Sequence, residues 1–255
     1  MARPPLALTR PVSRSFADCE LTYLARAPID VGIAEAQHAE YERALGACGW
    51  RVQRLPSAHD MPDAVFIEDT AVVLDEVAII TRPGAASRVG EVAAVAAALD
   101  GLRPVLHVAA PGTMDGGDVL VTGRSIFIGC STRTNLDAIE QVRRMVAPHG
   151  YRVTAVAVGG CLHLKSAASS LGEGRLLINP QWAPAELHSL DCIEIHPEEP
   201  QAANVVHAGP RLLAPSAHPR TRERLEEHGF EVMTVDVSEL AKAEGAVTCC
   251  SLLIP

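Results

Sequence analysis

The sequence predicts an α/β fold of five pseudo-symmetric ββαβ units set around an axis. Two patterns carry this reading. Four times along the chain, two short β-rich runs flank a turn, and each hairpin is followed by a helical stretch and one further strand, usually after a polar loop. The two ends of the chain supply the strands of a fifth unit. A single unit of this kind leaves its apolar face bare, so five arranged in a ring bury one another.

The elements follow in chain order. Leu6–Thr9 is expected to pair with Cys250–Ile254, with a helix over Val31–Cys48 and a strand over Arg51–Leu55 completing that unit. Thr70–Leu74 and Val77–Thr81 flank Asp75-Glu76, followed by helical spacing over Gly90–Leu99 and a strand at Pro104–Val108. Val119–Thr122 and Ser125–Gly129 flank Gly123-Arg124, then a helix at Asn135–Ala147 and a strand at Arg152–Val158. Ala168–Leu171 and Arg175–Ile178 precede a helical stretch at Pro184–Leu190 and a strand at Cys192–Ile195. Asn204–His207 and Arg211–Ala214 precede a helix at Thr221–His228 and a strand at Glu231–Val235. Joining the two termini in one unit closes the ring and protects its edges. A doubly wound sheet is the competing fold, but it is fed by single parallel strands rather than hairpins. No GxGxxG follows a strand, so a dinucleotide fold has nothing to bind with. No linker interrupts residues 1–255, which read as one domain.

Composition narrows the partners. The chain has 255 residues, 48% hydrophobic and 21% charged, enough to bury a core without a staple. Its 22 basic and 31 acidic side chains give a net charge of -9, which disfavours nucleic acid or an anionic membrane. Seven cysteines, an odd number with no CxxC, argue against a disulfide framework and for a reducing, cytoplasmic setting. The N-terminal apolar stretch is too short for a signal-peptide core. The longest mostly apolar run, Val92–Leu99, cannot span a bilayer.

Four short stretches hold chemistry-bearing residues. In Asp63-Ala64-Val65-Phe66-Ile67-Glu68-Asp69, an extended backbone would point Asp63 and Asp69 one way and Glu68 the other. Carboxylates so placed could hold a guanidinium, although on spacing alone a solvated turn is the better reading. In Gly112-Thr113-Met114-Asp115-Gly116-Gly117-Asp118, paired glycines let the backbone approach something closely. The loop lacks the oxygen count of a calcium site, and a tight loop entering a strand is its plainer meaning. His163, within Cys161-Leu162-His163-Leu164-Lys165, sits opposite both leucines if extended, and matters only beside a nucleophile. In Thr248-Cys249-Cys250-Ser251, a strand would turn one thiol inward and one outward. A buried thiol is usually inert, whereas one beside a histidine and a carboxylate is a nucleophile arrangement.

Taken together, these stretches resemble the dimethylarginine dimethylaminohydrolases, of the guanidino-modifying superfamily that includes arginine deiminase and the amidinotransferases. The resemblance rests on PDAVFIED (Pro62–Asp69), IITRPGAASR (Ile79–Arg88), PGTMDGGD (Pro111–Asp118), STRTN (Ser131–Asn135), LHLKS (Leu162–Ser166), QAANV (Gln201–Val205) and GAVTCCS (Gly245–Ser251). They keep the family's order across nearly the whole chain. The family's five-bladed α/β propeller agrees with the ββαβ count. The resemblance implies hydrolysis of an Nω-methylated arginine to citrulline and a methylamine through a covalent thiouronium, with no metal or organic cofactor. It implies Cys249 as nucleophile, His163 as general acid and base, and Asp115 as the carboxylate orienting the histidine; some bacterial relatives have Glu there. It places Asp63, Glu68 and Asp69 around the guanidinium and histidine, and Phe66 as an apolar wall. Arg88 and Arg133 match residues at the substrate's carboxylate end, Leu21 a lid residue, and the Ala243 carbonyl a contact to the substrate's amino group. The expected partner is a small cationic substrate, with the chain a monomer or homodimer.

Two other functions compete. An arginine deiminase or another small guanidine or amidine hydrolase would use the same core chemistry, but deiminases are longer, with a helical insertion that this length cannot hold. A non-enzymatic binding propeller would be expected to lose the Cys, His or acidic positions, and all are present.

Overall fold

The computed structural model describes residues 5–255; the first four residues of the N-terminal stretch lie outside it. The strands form five three-stranded sheets arranged as a five-bladed α/β propeller. Each sheet has the same order. Its middle strand runs antiparallel to an inner strand and parallel to an outer one, as in the sheet of Ala71–Val73, Ala78–Ile80 and Val105–His107. The next blades are Val119–Thr122, Ser125–Cys130 and Arg152–Ala157; Ala168–Gly172, Arg175–Ile178 and Asp191–Glu194; and Val206–Ala208, Arg211–Pro215 and Glu231–Val235. The fifth joins both ends of the chain. Leu252–Ile254 pairs with Leu6–Thr9 in the register Leu6↔Ile254, and Leu6–Thr9 pairs in parallel with Arg51–Arg54. The ββαβ reading therefore holds in all five blades, except that the stretch expected to be helical at Pro184–Leu190 is only a 3₁₀ turn, Ala185–Ser189.

Local chemistry accounts for the helix starts. The Asp30 carboxylate accepts from the Ile33 amide ahead of the helix Val31–Ala47, and Asn135 does the same for Ala138 ahead of Leu136–Val146. Five buried apolar clusters hold the ring. In one, Ile79 and Val72 of the first blade meet Val119, Ile126 and Ile128 of the second, under Ala138 and Val142 of the helix. Each cluster is shared by neighbouring blades, which is why no blade can stand alone. No helix among the described residues is long and apolar enough to cross a membrane.

The inner strands line an axial cavity of about 270 Å³, walled by residues such as Val72, Val121, Ser169, Val206 and Leu252. A second, polar pocket lies where inner strands begin and middle strands end. The turns leading into Ala71, Val119, Ala168 and Leu252 all deliver side chains to it.

Candidate active site

The pocket brings together Asp63, Phe66, Asp69, Arg88, Asp115, Arg133, His163, Ala243 and Cys249, residues spread over 180 positions of sequence. Nine of the eleven expected site residues therefore meet in one place. Their local backbone is not what the sequence suggested. Asp63 and Asp69 stand on two successive 3₁₀ turns, Pro62–Val65 and Ile67–Thr70, rather than on an extended run. Cys249 likewise lies in a 3₁₀ turn, Thr248–Cys250, so strand alternation does not separate the two thiols. The turn itself does so. Cys249 is half-buried and lines the pocket, while Cys250 is fully buried in the cluster with Tyr41 and Leu45.

His163 is extended (φ -131°, ψ 157°), immediately before the short helix Leu164–Ala167, and its ring is buried between two carboxylates. Nε2 lies 3.2 Å from Asp115 Oδ2, and Nδ1 lies 3.9 Å from Asp69 Oδ1. Asp115 is held in turn by the Gly84 amide at 2.8 Å. Asp118 anchors the other side by accepting from the Leu164 amide and from Ser131 and Thr134 hydroxyls. The glycines expected to allow close approach do so. A Cβ on Gly117 would sit 2.6 Å from His163 Nδ1 and 2.9 Å from Asp69 Oδ1, and the Gly117 amide donates to that oxygen at 3.0 Å.

Burial pulls the His163 imidazole down, but Asp69, the Asp115 hydrogen bond and Asp118 outweigh it and raise it to about 9. The ring is thus an imidazolium at neutral pH. Asp69 is held below the usual carboxylate range: burial opposes ionisation, while His163, Arg88 and the Gly117 amide overcome it. Burial pushes the Cys249 thiol well above its normal value, and Glu68 and Asp69 push it further against the opposing pull of the Ala246 backbone and Lys165. The pocket therefore pairs a neutral thiol with a charged imidazole. Labelling of Cys249 by iodoacetamide, read by peptide mass spectrometry, is expected to climb with pH through about 9 without a plateau. A plateau below about pH 7 would reveal a preformed thiolate–imidazolium pair.

Two expected site residues stand apart. Glu68 turns to the axis instead of the pocket, because its carboxylate accepts from Lys165 Nζ at 2.6 Å and from the Thr248 hydroxyl at 2.7 Å. It thus acts on Cys249 as a neighbouring charge behind the Thr248–Cys250 turn. Leu21 is half-buried, packs on the cluster around Phe16 and Tyr41, and does not line the pocket. Its neighbours bond to residues of the pocket instead. The Glu20 amide donates to the Asp63 carboxylate, and Arg133 Nη2 donates to the Thr22 hydroxyl at 3.0 Å. The amides of Thr22, Tyr23 and Leu24 converge on the carboxylate of Glu244, a nest of three donors on one anion.

Glu20 and Glu244 were not singled out from sequence, and nothing in their spacing marks them. Arg88 is more enclosed than its expected role suggests. Its Nε and Nη2 donate to the Glu91 carboxylate, Nη1 to Asp69 at 2.6 Å, and Nη2 also to the Asp63 and Phe66 carbonyls. One Nη1 hydrogen is left without an acceptor among the described residues. Phe66 packs edge-on against Phe16 at 5.8 Å, and Gly245 leaves room for its ring, since a Cβ there would lie 2.1 Å away.

Chemically, the pocket offers a thiol, a protonated imidazole and an acidic wall, the set needed to hold a planar cation and attack its carbon. Asp69, Asp115 and His163 also present ligand atoms within 4.8 Å of one another. An imidazolium is a poor metal ligand, so in this protonation state the trio suits proton transfer better.

The chain is 40% identical to the N(G),N(G)-dimethylarginine dimethylaminohydrolase of Streptomyces coelicolor, over 96% of this chain and 95% of that protein. It is 36% identical to the protein of the same name from Pseudomonas aeruginosa, over 96% and 97%. The crystal structure of the Pseudomonas aeruginosa enzyme, as a cysteine-to-serine mutant complexed with citrulline, superposes with a TM-score of 0.94 at 34% identity and covers 99% of this chain and 100% of that one. A dimethylarginine dimethylaminohydrolase carrying an adduct with S-methyl-L-thiocitrulline gives 0.92 with the same coverage. The N-terminal domain of an arginine dihydrolase shares the fold, with a TM-score of 0.89 at 20% identity. No family model matches the chain.

Proposed function

Because the chain belongs to the dimethylarginine dimethylaminohydrolase family, we propose that Cys249, His163 and Asp115 perform its reaction, the hydrolysis of dimethylarginine to citrulline. The observation that carries the residue assignment is the buried imidazole of His163, clamped by Asp115 at 3.2 Å in a pocket that also exposes the Cys249 thiol.

The substrate guanidinium presents its N–H groups to the carboxylates of Asp63 and Asp69, with Phe66 as the apolar wall for the methylated nitrogen. The cation beside Cys249 offsets the acids that suppress ionisation and promotes the thiolate, whose proton is released to solvent because His163 already carries its own. Thiolate attack forms the S–C bond. His163, fixed through Nε2 by Asp115, passes the Nδ1 proton to the leaving amine, and the C–N bond breaks. The product of this half is a thiouronium on Cys249. His163 is now neutral and takes a proton from water as the oxygen adds to the same carbon. Collapse breaks the C–S bond, and the proton of the added hydroxyl passes to the departing sulfur, so citrulline leaves with the thiol and the imidazolium restored. Arg133 and the free Nη1 hydrogen of Arg88 receive the substrate carboxylate, and the Ala243 carbonyl its ammonium group. Leu21 belongs to the segment that covers the bound substrate, and Glu68 tunes the thiol from behind. The entire chain serves as one catalytic domain, and all seven cysteines are unbridged, which suits a cytoplasmic, reducing setting.

Citrulline release from asymmetric dimethylarginine, monomethylarginine, arginine and agmatine, measured side by side, tests this reading. An unmethylated guanidinium leaves N–H groups unpaired against Phe66, at about 1–3 kcal/mol each. The methylated substrates should therefore lead arginine in kcat/KM by about tenfold or more. Faster hydrolysis of free arginine would make the chain a deiminase instead.

A further inference from the structure

Two buried arginines stand behind the acidic wall of the pocket. Arg88 binds Asp69 directly, through Nη1 at 2.6 Å. Arg10 is 2% exposed; its Nη1 donates to the Glu91 main-chain carbonyl at 3.3 Å, and its Nε has no partner among the described residues. Both remain charged, because guanidinium does not lose its proton in proteins. Unopposed, they would cancel the attraction that Asp69 exerts on an incoming cation. The carboxylate that opposes them is Glu91, itself 1% exposed. It accepts from Arg88 Nε at 3.1 Å and from Nη2 at 2.9 Å, and it is the charged neighbour of Arg10. Burial, and to a lesser degree Asp63 and Asp69, raise the Glu91 carboxyl against the opposing pull of Arg88, and the two hydrogen bonds from the Arg88 guanidinium keep it the ionised partner.

We infer that Glu91 is a positioning residue for recognition of the cationic substrate. By neutralising the arginines behind Asp69, it leaves the Asp69 charge available to the substrate guanidinium, and it keeps Arg88 turned so that Nη1 fixes that carboxylate. This rests on the functional reading above and extends it to a residue outside the pocket. With Glu91 present, Arg10, Arg88, Glu91 and Asp69 sum to zero. Without it the group carries one more positive charge, which weakens the binding of a cation more than that of a neutral molecule. Citrulline is the neutral counterpart, with a carbonyl oxygen where dimethylarginine has its dimethylated nitrogen, so the change in each ligand's affinity between variants, not the difference between the two ligands, reads the charge.

The test measures the dissociation constants of asymmetric dimethylarginine and of citrulline by calorimetry in the Cys249→Ser background, which removes turnover. Adding Glu91→Gln should weaken dimethylarginine about tenfold or more, the effect of one unit charge about 10 Å away at an effective dielectric constant of about 20, and leave citrulline within about threefold. Equal weakening of both ligands would make Glu91 merely structural and overturn the inference, as would no change in either. Should Glu91→Gln leave Arg88 too poorly compensated to fold, the double variant Arg88→Gln/Glu91→Gln decides. It removes one positive and one negative charge, so the preference for dimethylarginine over citrulline should survive even if both bind more weakly. Loss of that preference in the double variant overturns the inference. A Cys249→Ser protein that binds neither ligand would instead refute the functional reading, and the inference with it.

Discussion

Replacing Cys249 with serine is expected to abolish citrulline release, a loss on the order of 10⁴–10⁶-fold, the scale seen when a nucleophile or its partner base is removed. Replacing the adjacent Cys250 with serine is expected to keep the pathway intact. The two thiols are neighbours in sequence yet occupy different environments. Cys249 is half-buried in the polar pocket, and Cys250 is fully buried beside Tyr41. Burial, Cys249, Glu68 and Glu42 together push the Cys250 thiol far up, so it supplies no thiolate. The Cys250→Ser variant buries a hydroxyl in an apolar cluster, so it should show a lower melting temperature with kcat reduced by no more than about tenfold. An active Cys249→Ser variant beside an inactive, folded Cys250→Ser variant would reverse the assignment.

Replacing His163 with glycine is expected to lower kcat by about 10²–10⁴-fold, because proton delivery to the amine and activation of water both fail. The two halves can be separated. S-methyl-thiocitrulline carries a thiol leaving group that needs little help from an acid, so Cys249 should still displace methanethiol and form the thiouronium. Without an imidazole to activate water, that adduct should persist. Mass spectrometry should find one adduct per chain in the His163→Gly variant and none in Cys249→Ser. Failure of the histidine variant to accumulate an adduct, with dimethylarginine turnover still normal, would remove His163 from the mechanism. The same residue links stability to pH. Its value is raised from 6.5 to about 9 in the folded protein, so its stabilising contribution is complete below about 6.5 and is lost as pH rises through about 9. The stability advantage of the native protein over the His163→Gly variant should therefore shrink across that window.

Much of the architecture was legible in the amino-acid order. Hairpins recurring ahead of helical stretches marked five blades, and the complementary strands at the two termini marked the closure, because strand and turn preferences are local and repeat with the unit. The candidate site residues were singled out there too, through stretches such as PGTMDGGD and GAVTCCS whose resemblance to a family suggested their roles. The backbone beneath them was not. Asp63–Asp69 and Thr248–Cys250 read as extended but form 3₁₀ turns. A few residues joining a loop to a short strand carry too little periodicity to distinguish the two. An Arg–Glu spacing of three residues was the one local trace of the Arg88–Glu91 pair, and such spacings on helical surfaces are common.

What the sequence by itself determined was the number of blades, their order, and which residue types were available for chemistry. The tertiary structure decided which of them meet. His163 faces Asp115 across 48 positions, Glu68 is drawn to the axis by Lys165 across 97, and Glu244 gathers amides from more than 200 positions away. Those distances follow from the packing of blades around the ring, where each contact depends on every intervening apolar interface, and no local pattern of residues records that sum.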